Sequence, residues 1–191
     1  MSLATLATLA FLATPSGPGS LPPERVQAAV EFGRTAPDEQ LKQYRLADSE
    51  GFEVNFDTPF LRVAQLAAAL RKEGKPLPLD EVPDRLVRDE VNVYVHARYR
   101  EGVELPNVEY VSVMRPGADG RPELVPSRSV DRYVRQVPRE PGYFGPARVA
   151  GSVRAAFPSS AFVPGAQLRI LFADRSLQTV TLDAAKLANV R

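Results

Sequence analysis

The chain has 191 residues, enough to bury a core of its own within one domain. Its 24 basic and 23 acidic residues nearly cancel, so no global field marks a polyanion as the partner. It contains no cysteine, which excludes disulfides, zinc–thiolate sites and thiol nucleophiles together.

The N-terminus opens on an apolar run, Leu3 to Ala13, of signal-sequence length and far too short to span a bilayer. Small and turn-forming residues follow, and Thr14-Pro15-Ser16 offers a small-x-small cleavage site before Gly17. Residues 1–22 are therefore expected to be a signal-like segment and linker, with a mature chain starting near Gly17 in the periplasm or outside the cell. No Lys or Arg precedes Arg25, so the basic n-region is missing. A loosely packed tail on a cytoplasmic protein is the alternative. Residues 23–191 are expected to form a single α+β domain.

Pro23 to Thr35 suits a short helix with Val26, Ala29, Val30 and Gly33 on one side, and Ala36 to Gln43 continues as a turn. Tyr44 to Asp48 and Phe52 to Phe56 read as a hairpin, because Phe52, Val54 and Phe56 alternate with Glu53 and Asn55. At Asp57-Thr58-Pro59 the period changes to that of a helix. Thr58 is placed as N-cap and Pro59 as the first helical residue, whose missing N–H needs no partner there. Phe60, Val63, Ala64, Ala67 and Leu70 recur at helical spacing, with Leu61 and Leu66 widening the stripe. This spacing predicts that Leu66 and Leu70 are buried against the sheet. Gly74 stands where a left-handed residue ends the helix.

A proline-rich loop with one helical turn at Pro83 to Val87 follows, and from about residue 91 the texture is mainly β. Val91 to Tyr99, Val108 to Met114, one or two strands within Leu124 to Val137, the inward row Val149-Gly151-Val153-Ala155-Phe157, Gln167 to Ala173 and Leu177 to Leu182 are the expected strands. Asp183 to Leu187 suits a closing helical turn. Short strands with Pro/Gly turns predict an antiparallel β-sandwich or barrel-like sheet.

The closing run AFPSSAFVPGAQLRILFADRSLQTVTL, with Pro164-Gly165 ahead of a strand and a hairpin, resembles the last strands of immunoglobulin-like extracellular modules. The resemblance covers about a fifth of the chain, without the Cys and Trp of true immunoglobulin domains. The run VNFDTPFLRVA is similar to exported bacterial proteins of no known function. Those resemblances imply an immunoglobulin-like C-terminal sheet pattern and an export compartment.

His96 is the only histidine and the sole candidate for an imidazole base or ligand. It alternates to the polar face of its strand, where a surface or edge position is expected. Neither G-x-S-x-G nor H-E-x-x-H occurs. Asp48, Glu50, Glu53 and Asp57 gather around the first hairpin and could serve as an acid/base pair or hold a hard cation. Their spacing fits no calcium loop, and Asp57 has a structural task beside the helix N-terminus.

Between Arg115 and Arg148 seven arginines face four acids. Arg128, Arg132, Tyr133, Arg135, Tyr143 and Phe144 are the candidate face for a polyanion or a partner, since Arg with interleaved aromatics suits an anionic polymer. No recognised nucleic-acid fold fits, so no nucleic acid is expected. The reading with most support is a non-enzymatic exported binding or structural module, without cofactor or metal, whose partner is an envelope protein or a glycan. A carboxylate-dependent hydrolase and a polyanion binder are the alternatives. They separate on whether a pocket gathers two or more of Asp48, Glu50, Glu53, Asp57 and His96.

Overall fold

The computed structural model describes residues 20–49, 51–97, 108–136 and 149–188. Pro23 starts helix α1 (Pro23–Thr35), which buries Ala29, Val30 and Gly33 on one side. A turn at Asp38–Leu41 leads to the hairpin of β1 (Tyr44–Asp48) and β2 (Phe52–Asp57). Ser49 closes that hairpin locally, its Oγ accepting from the N–H groups of Gly51 and Phe52.

Helix α2 (Pro59–Lys72) begins as its sequence dictates: Pro59 leads, and Thr58 Oγ1 accepts from the Leu61 N–H at 3.2 Å. It ends on Gly74 at φ 71°, with Lys75 N–H donating to Leu70 O and Gly74 N–H to Arg71 O. That pair of bonds satisfies two of the last carbonyls. The helices α1 and α2 run the same way. Arg25 lies over the Phe60 ring at one end, and at the other Arg71 donates to the carbonyls of Arg34 and Ala36. Between them Gly33 meets the backbone of Ala64.

This pairing corrects the expectation for Leu66 and Leu70. Both are half-buried and belong to the cluster that Phe60, Val63 and Ala67 form with residues of α1 and with Leu77, Val82, Leu86 and Val87, separate from the core cluster of the sheets. Leu61, which only widened the helical stripe in the sequence, is the fully buried leucine of the helix.

The remaining elements are α3 (Asp84–Val87), β3 (Val91–Ala97), β4 (Val108–Pro116), β5 (Pro122–Val125), β6 (Ser129–Gln136), β7 (Val149–Phe157), β8 (Gln167–Phe172), β9 (Leu177–Thr181) and α4 (Ala184–Ala188). The fold is α+β with two antiparallel sheets. One has the order β1-β2-β3-β7-β6 and the other β5-β4-β8-β9. The chain passes between sheets after β3, β5 and β7.

Period-2 alternation explains the core. Val54, Val93, Val153 and Ala155 of the first sheet share one hydrophobic cluster with Val111, Val113, Leu168 and Ile170 of the second. The helices carry separate small clusters of their own. The expected linker is tied down at its end: Leu21 N–H donates to Val87 O at 2.6 Å, and Ser20 bridges Arg88. His96 is also corrected. It stands on β3, the central strand of five, and is half-buried instead of lying at an edge.

Candidate functional site

The outward face of the five-stranded sheet is a polar lattice set by register. Asp48, Glu53, His96, Ser152 and Tyr133 form one row across all five strands. Arg45, Asn55, Tyr94, Arg154 and Asp131 form the next. Asp57 and Asn92 pair in a third row. Strand rise separates Glu53 from Asp57 by roughly 13 Å along β2, too far for one acid/base pair to span.

These side chains engage one another. Asn55 donates to Glu53 Oε1 at 2.8 Å, and Arg45 lies 2.9 Å from Asp48 and 3.5 Å from Glu53. Arg154 donates to Asn92 at 3.1 Å and faces Asp131 and Glu90 at 3.5 and 3.7 Å. His96 Nδ1 and Ser152 Oγ are 3.0 Å apart, and the imidazole stacks on Tyr94 with Tyr133 at its edge.

Asp57 is 7% exposed. Burial pushes its carboxyl above the usual aspartate range, against the pull of the Arg62 guanidinium and the Asn92 amide. Arg62 lies 3.7 Å from Asp57 Oδ2 and is held in place by donating to the Glu90 carbonyl at 2.8 Å. Asp57 Oδ1 and Arg62 Nε are buried without a hydrogen-bond partner among the described residues. The same burial, with Asp57 nearby, raises Tyr94.

The carboxylates and the histidine thus share a sheet face, and none of them lines the clefts of about 690, 470 and 260 Å³ that the described residues form. No group of three metal-ligating side chains forms among those residues either. Glu50 lies outside them.

The arginine–aromatic face is only partly assembled. Arg132 and Tyr133 are neighbours on β6, the edge strand of the first sheet, and so alternate between its two faces. Arg128 is used within the chain, donating to the Asp89 carbonyl at 2.6 Å. Arg135 occupies the register position opposite Ala150, and Tyr143 and Phe144 lie outside the described residues.

What does come together around Arg132 and Tyr133 is a cleft of about 690 Å³ between the sheets, also lined by Glu109, Tyr110, Gly151 and Leu171. A register irregularity lies at its edge. A bulge in β4 between Val108 and Tyr110 leaves Glu109 with no partner on β8. Arg132 reaches from the other sheet and donates to the Glu109 carbonyl. Gly151, in the inward row of β7, also lines it. Tyr110 and Tyr133 remain 39% and 40% exposed at this cleft.

Tyr110, Glu109, Gly151 and Leu171 were missed as site residues. A second cleft of about 470 Å³ lies at the α2 N-terminus, lined by Arg25, Thr58, Phe60, Asp89 and Phe162 among others. There Asp89 already accepts from the Ser159 N–H, and Arg25 covers Phe60.

Compared with known protein families, curated protein sequences and solved structures, the chain matches none. No helix among the described residues is long and apolar enough to cross a membrane.

Proposed function

We propose that the chain is a non-enzymatic, exported binding or structural module of the cell envelope. The observation that carries the binding role is the cleft between the sheets, where two half-exposed tyrosines stand beside Arg132 and Glu109. Its size is that of a ligand site, and Tyr offers a rigid apolar ring with a polar tip. The alternative, a carboxylate-dependent hydrolase, would need acids converging on a substrate-sized space. Asp48, Glu53 and Asp57 are instead spread along one strand pair, Asp57 buried, and are engaged by Arg45, Asn55 and Arg62.

Export rests on the apolar run from Leu3 to Ala13 and the small residues after it. We also read the two sheets as an immunoglobulin-like sandwich, which their shared core and the repeated passage of the chain between them support. Fractionation of the native cell, with N-terminal sequencing of the recovered protein, tests the export half. The protein is expected in the periplasmic or culture fraction with an N-terminus close to Gly17. Intact Met1 or Ser2 on cytosolic protein would remove the envelope role.

A further inference from the structure

We propose that the cleft between the sheets binds neutral polysaccharide, with Tyr110 and Tyr133 as the platforms on which sugar rings stack; this rests on the binding-module reading above. The ring faces of a sugar present C–H groups that suit an aromatic surface, while its hydroxyls need donors and acceptors at the rim. The cleft supplies both. Tyr110 and Tyr133 approach it from different sheets, and Glu109 and Ser152 add polar atoms to its lining.

Charge argues for a neutral ligand. Among the described residues the cleft has a single arginine, Arg132, which donates to the Glu109 carbonyl, and Glu109 brings a carboxylate of its own. A polyanion needs several uncommitted cations along its path. Arg154, the next guanidinium along the sheet, is flanked by Asp131 and Glu90.

Shape argues for a chain in preference to a small apolar molecule. Tyr110 continues into an outward row with Leu171 and Leu177 on the next two strands of the second sheet. Tyr110 and Leu177 are both exposed there, so an apolar track leads away from the cleft. Addition of a peptide strand to the β6 edge is the competing mode. That edge carries Asp131, Arg132 and Arg135, and charged residues on an edge strand oppose such pairing.

The test is affinity electrophoresis of the full chain through gels holding a soluble cellulose derivative, laminarin, a mannan or a galactan, with heparin as the anionic probe. At least one neutral polymer is expected to retard the protein. Tyr110→Ala or Tyr133→Ala should weaken that retardation about tenfold, while Tyr133→Phe retains most of it. Both rings are half-exposed, and an unchanged melting curve establishes that the variants are folded. Lack of retardation by every neutral polymer overturns the proposal, as does retardation untouched by either alanine variant. Retention on heparin alone, lost in Arg132→Ala, overturns it in favour of a polyanion. Any of these results in a protein that is still found in the envelope sinks the ligand class and leaves the broader module reading standing.

Discussion

Gly33 of α1 lies directly against the backbone of Ala64 in α2. A Cβ at position 33 would stand 2.1 Å from the Ala64 carbonyl oxygen and 2.9 Å from the Ala67 methyl group. The parallel pairing of the two helices is therefore built on a missing side chain. Gly33→Ala gains about 1 kcal/mol of helix propensity but forces the helices apart, an overpacking cost on the order of 1–3 kcal/mol or more. The net expectation is a lower urea midpoint. A midpoint that rises would mean that α1 does not pack on α2 at Gly33.

Leu61 and Leu66 separate the two faces of α2. Leu61 is fully buried, and Leu61→Ala is expected to cost about 2–5 kcal/mol. Leu66 is half-buried in the separate helix cluster, so Leu66→Ala should cost clearly less. Paired urea titrations check the order. Equal losses would contradict the orientation of the helix.

The α2 unit was legible because its signals are local: Thr58 as cap, Pro59 as first residue and Gly74 as terminator all act within one turn of themselves. The strand spans were legible for the same reason, since alternation needs no partner. Neighbours were not legible. That Leu66 and Leu70 belong to the helix cluster, and that His96 meets Ser152 across β3 and β7, depends on pairings between distant segments. At the edge of the cleft, a bulge at Glu109 shifts the parity of β4 so that Val108 is buried while Tyr110 is exposed. Strict period-2 reading cannot show that.

Asp57 gives the protein a pH signature. Its folded carboxyl titrates above the usual value of 3.8, mainly because burial disfavours the charged form. Between 3.8 and the raised value the folded state holds the proton more tightly than the unfolded chain, so this group's contribution to stability falls as pH rises. Relative to Asp57→Asn, the wild type should lose stability from about that pH through the raised value and then level off. Urea midpoints of the two proteins over a pH series check the sign. A wild type that gains on the variant across that window would contradict the assignment.

His96 is packed into the sheet face, between Ser152 and the rings of Tyr94 and Tyr133. His96→Ala removes one hydrogen bond from buried Ser152 and an aromatic neighbour from Tyr94 and Tyr133. A loss of about 1–3 kcal/mol is expected, with the fold retained. Thermal melts and binding to envelope fragments measure the two effects separately. Because His96 meets the edge of Tyr133, weaker binding is compatible with this role; failure of the His96→Ala protein to fold would contradict it.

Binding through the Tyr110–Tyr133 cleft, and not through the acids of the sheet face, is tested most directly by co-sedimentation with envelope fragments of the native cell. Three folded proteins are compared: the wild type, Tyr110→Ala with Tyr133→Ala, and Glu53→Gln with Asp57→Asn. The wild type and the carboxylate variant are expected to sediment alike, and the tyrosine variant to stay in solution. Sedimentation that survives removal of both tyrosines but disappears with the two carboxylates would contradict the proposed function.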